Sequence, residues 1–335
     1  MSNAVTIFDV AAEAAVSTAT VSRVANGHPN IKPATRERVQ EAMDRLGYVA
    51  NLKARGLAGG RTRVVGLLVD DLESSYIAQV AKSVDSALSD AGYDMMLGTL
   101  HMRTDRTRYV HSLFNGLVEG LIVLLSPGFE PILEDVGGRD LPIVLIDHAP
   151  QPGVTVINTT NASGTTEAVE HLAGLGHRRI GFVTGILDVN SARSRLDAYR
   201  TSLASLAIEP DDDLIVSGDF LMESGREAAA TLLSLDNSPT AIMTSSDAAA
   251  LGVVHAARER GLDVPHDLSV VGFDDIPEAR YLTPGLTTVR QPMGEMGRTA
   301  AHLLLDTLTD DEQRVPSVDI PTELIIRGTT GPPRR

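Results

Sequence analysis

Over the first fifty residues the apolar side chains recur with helical spacing. Ile7, Val10, Ala11 and Ala14 fall at i, i+3, i+4 and i+7 and paint one face of a first helix. Thr6 precedes it as N-cap, with Asp9 three residues on as the partner of a capping box. Ser17 is a second N-cap, and the helix it opens runs from Thr18 to Ala25, where Asn26-Gly27 ends it. Val21, Val24 and Ala25, with Val16 before them, supply its buried side. Pro33 starts a third helix whose stripe is Val39, Ala42, Met43 and Leu46, and Gly47 stops it.

From Val64 the pattern changes to short apolar runs separated by amphipathic stretches. Strands are predicted over Val64–Val69, Tyr93–Leu97, Gly120–Leu124, Pro142–Ile146, Ile180–Val183, Leu214–Val216, Ala241–Thr244 and Ser269–Phe273. Helices are predicted over Ile77–Asp90, Gly164–Ala173, Ser191–Leu206, Ser224–Leu235 and Asp247–Arg260. Continuous apolar strands alternating with helices imply parallel sheets covered on both faces. Eight such units exceed one simple sheet, and they divide near residues 158–163, where the chain is polar, into two similar lobes. The fold class is α/β: an all-α N-terminal headpiece followed by a two-lobed parallel-sheet body.

Composition narrows the chemistry. At 335 residues the chain can bury two or three cores, and zero cysteines exclude disulfides, thiolate metal sites and cysteine nucleophiles. No apolar run approaches the roughly 18 residues of a membrane span, and no signal peptide opens the chain, so a cytoplasmic protein without membrane contact is expected. The net charge of −15 is unevenly spread. Residues 1–62 carry eight basic and five acidic side chains, net +3, which leaves −18 for the remainder. A polyanion is drawn to the small end and repelled by the large one.

The second helix presents Thr18, Ala19, Thr20, Ser22 and Arg23 opposite its buried side. Short hydroxyls, a methyl and one forked cation suit phosphate oxygens, base edges and thymine methyls in a major groove. Two helices joined by a tight turn, the second slim and polar, make a helix-turn-helix. On the residues alone, an ordinary three-helix cap on a larger domain stays open.

In the body, ligands of such sheets sit beyond the carboxyl ends of the strands. Those ends carry Asp70 to Tyr76, Asp147-His148, Asn190 to Arg195, Asp219-Phe220, Ser245-Ser246-Asp247 and Asp274-Asp275. Carboxylates, hydroxyls, aromatics and arginines around a cleft suit a neutral polyhydroxylated ligand, with Arg and Asp each bonding vicinal hydroxyls and a ring stacking on Phe220 or Tyr76. Some strand-end acids serve only to cap the next helix, and Asp247 is expected to be one of these. Catalysis is not expected. Asp70-Asp71 and Asp274-Asp275 are adjacent and point apart, His171 and His177 lack HExxH spacing, and no phosphate loop of the G-x4-G-K-[ST] type occurs. No cofactor and no metal site are expected.

Val5-Thr-Ile-Phe-Asp-Val-Ala, Val16-Ser-Thr-Ala-Thr-Val-Ser-Arg-Val and Thr35-Arg-Glu-Arg-Val resemble the headpiece of the lactose-repressor/galactose-repressor family of bacterial transcription regulators, and the resemblance runs to about Arg327. It departs at Ala15, where the turn often has Gly, and at Ala25, where a larger apolar residue is common. The resemblance implies a headpiece over 1–49, a hinge helix over 50–61, and a body of periplasmic-binding-protein-like fold. Its N-terminal lobe would take 62–161 with 291–321, and its C-terminal lobe 162–290 with 322–330. With the family in view, the candidate DNA contacts are Thr6, Ser17, Thr18, Ala19, Thr20, Ser22, Arg23, Asn26, Asn30, Lys32, Tyr48, Asn51 and Leu57, the last in the place of the family's minor-groove wedge. The family's effector contacts fall on Tyr76, Asp147, Ser191, Arg195, Phe220, Ser246, Asp274 and Gln291. Ser246 stands where Asn is common, Thr160 where Asp is common and Ser75 where Pro is frequent. Val189 replaces a second arginine of the purine-responsive relative, which weighs against a purine.

The expected protein is a DNA-binding repressor, controlled by a small ligand such as a sugar, acting as a homodimer on operator DNA. The tail after Arg327 has no heptads for a coiled-coil tetramer. The rival is a sugar-binding or sugar-processing protein with a small N-terminal protein-interaction domain. The linker offers a first test. Asn51 can cap a helix that Gly59-Gly60 ends, but about eight helical residues fall short of the roughly 12–15 that an isolated helix needs, and Gly56 costs a further ~1 kcal/mol. Its backbone amides are expected to exchange fast in the free protein and slowly on the operator; equally slow exchange in both states refutes the expectation.

Overall fold

The computed structural model describes residues 5–25, 28, 30–48, 61–100, 104–114, 116–124, 128, 132, 141–309 and 317–334. They fall into two compact units, the N-terminal helices and the α/β body. The hinge segment and its Asn51 and Leu57 lie outside the described residues, as does Asn26.

In the N-terminal unit, α1 spans Ile7–Glu13, α2 Thr18–Ala25 and α3 Pro33–Leu46. The capping box forms as the spacing requires: the Asp9 carboxylate accepts from the Thr6 backbone N–H at 2.8 Å and from its hydroxyl at 2.7 Å. Ser17 caps α2 by accepting from the Thr20 N–H at 3.2 Å. Val10, Ala14, Val21, Val24, Val39, Ala42 and Met43 interlock as one core, and Arg38 fastens α3 to the end of α1 by donating to the Ala14 carbonyl at 2.9 Å. The turn between α1 and α2 sends Ala15 to φ 49°, a left-handed conformation that favours glycine and costs alanine about 1–2 kcal/mol.

The body contains two six-stranded sheets. The first runs β11-β5-β4-β3-β1-β2, with β1 Val64–Val69, β2 Asp94–Thr99, β3 Gly120–Leu124, β4 Ile143–Ile146, β5 Thr155–Thr159 and β11 Val318–Ile320, all parallel. The second runs β12-β10-β9-β8-β6-β7, with β6 Ile180–Val183, β7 Ile215–Val216, β8 Ala241–Thr244, β9 Ser269–Asp274, β10 Thr287–Arg290 and β12 Glu323–Ile325. Among the described residues only the β10/β12 pair is antiparallel. Helices α4 (Ser75–Asp90), α5 (Arg106–Phe114) and α11 (Met293–Thr309) belong to the first lobe. Helices α6 (Asn161–Gly174), α7 (Asn190–Ser205), α8 (Met222–Leu232), α9 (Asp247–Glu259) and α10 (Pro277–Tyr281) belong to the second.

The chain passes between sheets after β5, after β10 and after β11. Two of these passages are tied together. The Thr160 hydroxyl accepts from the Thr322 N–H at 2.9 Å, and the Thr322 hydroxyl donates to the Thr160 carbonyl at 3.1 Å. Gly164 is needed beside them, because a Cβ there would meet Val289 and the Thr322 hydroxyl at 2.5 and 2.6 Å. The C-terminal tail is part of the second lobe: the Val270 N–H donates to the Thr329 carbonyl at 2.8 Å, and the buried His177 ring reaches Thr240, Ser269 and the Gly331 carbonyl.

The apolar strands appear within a residue or two of their predicted bounds. β5, β10, β11, β12, α5, α10 and α11 were not anticipated. β5 was hidden by its polar end: the stretch expected to be a polar divide contains Asn158 and Thr159 within the strand, the first donating to the His148 carbonyl and the second to Gln291 across the fold. α6 likewise begins at Asn161, three residues before the apolar stripe.

Helices α8 and α9 touch backbone to backbone. A Cβ on Gly252 would stand 2.0 Å from the Met222 carbonyl oxygen, and one on Gly225 would stand 2.2 Å from that of Ala249. Gly252→Ala is therefore expected to destabilise the body by about 1–3 kcal/mol in urea denaturation, despite alanine's better helix propensity. Stability equal to or above wild type would refute that contact.

Candidate DNA-binding face and effector cleft

On the headpiece, the residues of α2 that the sequence assigns to DNA lie outside the core. Ala19 and Arg23, one turn apart, are exposed, while Thr18, Thr20 and Ser22 are partly so. Arg23 makes no ion pair among the described residues, which leaves its guanidinium free for a phosphate or a guanine edge. Ser17 and Thr20 are bonded to each other, hydroxyl to hydroxyl, at 2.9 Å, so both are fixed in direction as well as capping the helix. Thr6, Asn30 and Lys32 are exposed. Tyr48 instead lays its ring partly against the headpiece core. Sequence reasoning missed Phe8, which is 72% exposed on α1. The available signal was its place one residue off the Ile7, Val10, Ala11, Ala14 stripe.

In the body the two sheets carry strand orders 2-1-3-4-5 and 7-6-8-9-10, each with one strand added at the edge. The order reverses beside β1 in one and beside β6 in the other, and the carboxyl ends there are where a doubly wound sheet binds ligands. Tyr76, Asp147, Ser191, Arg195, Ser246, Asp274 and Gln291 are all buried, whereas Phe220 is half-buried.

Arg195 is the centre of this set. Its Nε donates to the Asn161 side-chain oxygen at 2.8 Å, and its Nη1 to the Ser245 carbonyl at 2.5 Å. The guanidinium carbon lies 3.6 Å from the centroid of the Phe273 ring. Burial pushes its pKa down, and Asp274 and Asp147 oppose that shift. Gln291 bridges the lobes: its amide nitrogen donates to Asp274 at 2.7 Å while its oxygen accepts from the Thr159 hydroxyl at 2.9 Å. Around this frame, the Tyr76 hydroxyl, one Asp147 oxygen, the Ser191 hydroxyl and the Ser245 hydroxyl are buried with no hydrogen-bond partner among the described residues. Such atoms cost about 1–3 kcal/mol each when left unpaired. Burial also drives the Tyr76 pKa well up, with Asp147 and Asp274 adding to it, so its hydroxyl is a neutral donor.

Backbone strain gathers at the same ends. Asp147, Phe220, Asp274 and Asp275 have φ of 59°, 73°, 127° and 60°. The Phe220 ring fits only because residue 185 is glycine, where a Cβ would meet it at 2.1 Å.

Two assignments change. Ser246, expected to face a ligand, caps α9 by accepting from the Ala249 N–H at 3.1 Å and donates to the Phe220 carbonyl at 2.6 Å. Among the described residues the unpartnered hydroxyl is that of its neighbour Ser245, which the sequence places at the strand end but does not single out as a contact. Asp247, expected to be the cap, instead accepts from the Ile276 N–H at 2.9 Å and the Thr288 hydroxyl at 2.5 Å. Asn161, Ser245 and Phe273 were the missed members. Asp274 and Asp275 do point apart: Asp275 is gripped by Arg280, Arg290 and Arg327 at 3.1, 2.8 and 2.5 Å. Among the described residues no cluster of His and acidic side chains is arranged to hold a metal, and no helix is long and apolar enough to cross a membrane.

Residues 6–51 match the bacterial regulatory proteins of the lacI family, and residues 169–330 match the periplasmic binding protein-like domain. Catabolite control protein A of Priestia megaterium is 36% identical over 333 residues, covering 97% of this chain and 99% of that protein. The Lac repressor dimer bound to operator and the anti-inducer ONPF superposes with a TM-score of 0.86 at 31% identity, over 98% of this chain and 100% of that one. The transcriptional regulator CelR in complex with cellobiose gives a TM-score of 0.74 at 32% identity, over 97% and 99%.

Burial raises the pKa of Asp247 to about 8, with the charge of Asp274 adding to the rise. Burial also raises that of Asp274 to about 7, against the pull of Arg195 and the Gln291 hydrogen bond and with Asp147 adding to the rise. A carboxyl raised in the folded state contributes stability that is full below its unfolded value of 3.8 and is lost as pH rises through the folded one. The stability of wild type relative to Asp274→Asn should therefore fall between pH about 4 and 7, by at most ~1.4 kcal/mol per pH unit. Urea denaturation across that range checks it, and a flat or rising difference contradicts it.

Proposed function

Because the chain belongs to the lacI family of bacterial regulatory proteins, we propose that its affinity for operator DNA is set by a small polyhydroxylated ligand, a sugar, held in the cleft between the two lobes. The protein is a DNA-binding transcriptional regulator of the repressor type. What carries the ligand reading is the group of buried polar atoms without partners among the described residues, Tyr76 Oη, Asp147 Oδ1, Ser191 Oγ and Ser245 Oγ, set around Arg195 and Asp274. Donors, acceptors and one cation alternate there, and Phe220 offers a ring face. A sugar satisfies that mixture with its own paired donors and acceptors, and the related CelR was solved with cellobiose. Asp147 and Tyr76 come from the first lobe, Ser191, Arg195, Ser245 and Asp274 from the second, so a ligand bonded to both favours one relative arrangement of the lobes. It shifts that equilibrium only by its difference in affinity for the two arrangements.

Two copies of the chain place two headpieces on a near-palindromic operator, with α2 in successive major grooves. Arg23 and Ala19 read base edges there, while Thr18, Ser22, Asn30 and Lys32 hold the backbone. Thr6, Ser17 and Thr20 steer those contacts through the caps they form.

Two substitutions separate the parts. Arg23→Ala should weaken operator binding about tenfold or more, given ~1–3 kcal/mol per base contact, and leave ligand binding unchanged. Tyr76→Phe removes one unpaired hydroxyl without disturbing the core, so it should leave operator binding intact and weaken the ligand about five- to tenfold. Fluorescence anisotropy on genomic fragments, beside thermal-shift screening against a sugar panel, reads both. Release of the operator by Tyr76→Phe, or a full-strength operator grip by a chain lacking residues 1–60, defeats the assignment.

A further inference from the structure

A pocket of about 670 Å³ opens on the other side of the Asp274-Asp275 corner, among α4, α10, β10 and the amino end of α11. Four cations line it, from both lobes: Lys82 on α4, Arg298 on α11, Arg280 on α10 and Arg290 at the end of β10. Its carboxylates are two, Asp275 and Glu295. Asp275 is buried and already shared among Arg280, Arg290 and Arg327, and Arg290 also meets Glu323 at 3.1 Å. Lys82 and Arg298 form no ion pair among the described residues. An excess of cations in one concavity is unexpected in a body whose charge is strongly negative, and the 17-residue α11 adds the positive end of its dipole there.

We propose that this pocket is a second ligand site, distinct from the sugar cleft, for a small phosphate-bearing molecule. A phosphoryl group takes paired N–H bonds from arginines and a point charge from lysine, which is the set present. The volume lies within the roughly 300–1,000 Å³ of small-molecule sites and exceeds what one bare phosphate fills. Pro277, Tyr281, Pro292 and Met293 supply apolar walls for a carbon body. Concavity separates the pocket from a nucleic-acid surface, which presents its cations along a stripe.

The test uses the full chain, with inorganic phosphate and phenyl phosphate as probes and sodium chloride matching the ionic strength. Calorimetry should show saturable binding of both, tighter for phenyl phosphate than for inorganic phosphate. The Lys82→Gln/Arg298→Gln double variant, altering two side chains without ion-pair partners, should lose about tenfold or more in affinity, on the scale of charge-assisted hydrogen bonds. Arg200→Gln, a surface cation elsewhere, and Tyr76→Phe in the sugar cleft should bind both probes as wild type does. No saturable binding at millimolar probe, or equal binding by the double variant, overturns the proposal. Loss of probe binding in Tyr76→Phe also overturns it, by placing the anion in the sugar cleft, whereas failure of sugar binding alone leaves it untouched.

Discussion

The body is organised around a buried carboxylate. Asp275 has no exposed side-chain surface and is held by three arginines from α10, β10 and the C-terminal tail. Burial raises its pKa, but the hydrogen bonds from Arg290, Arg327 and Arg280 outweigh that and hold it below the ordinary carboxylate range. Breaking such a group by removing one partner costs about 3–5 kcal/mol, because an uncompensated charge is left behind. That grip stabilises a corner that is otherwise unfavourable, with φ of 127° and 60° at consecutive non-glycine residues. The corner turns Asp274 the opposite way, into the cleft, where Gln291 fixes it. The cost of strain at the site is thus met by charges behind it.

Gln291 makes that arrangement consequential. It sits where the chain passes from β10 to α11, and one amide group bonds Asp274 of one lobe and Thr159 of the other. The remaining passages are joined through Thr160 and Thr322. Relative motion of the lobes therefore has to rotate backbone at these few residues, and the polar atoms of the cleft stand directly above them.

How far this was legible in the sequence depends on what each residue's signal reported. Apolar runs such as Val64–Val69 and Ile180–Val183 are buried on both faces and announce themselves as parallel strands. β5 ends in Asn158 and Thr159, and the burial of Thr159 is offset by a hydrogen bond to Gln291, 132 residues away, that no local window contains. β12 and β11 are three residues each and depend on pairing with β10 and β5. In the cleft, residue types at strand ends located the polar ring, but a one-residue step decided between Ser245 and Ser246. Asp247 has a cap's position by composition, and its real partners, Ile276 and Thr288, are 29 and 41 residues away. Family resemblance supplied the headpiece roles, while the exposed Phe8 is visible only as an exception to the stripe.

The headpiece and the body solve different problems with the same economy. α2 buries only Val21 and Val24, and its side chains are short enough for a groove, so its direction has to come from caps and from neighbours. Ser17, Thr20, Thr6 and Asp9 supply that direction through hydrogen bonds made at the helix ends. In the body the reverse holds: the ligand-facing atoms are deep, charged and left partly unpaired, and the surrounding frame is over-determined. An unpaired hydroxyl on an exposed helix would cost nothing and select nothing, since water would satisfy it. Buried, the same group imposes a cost that only a ligand of matching polarity removes, and that difference in free energy is what a regulator can transmit.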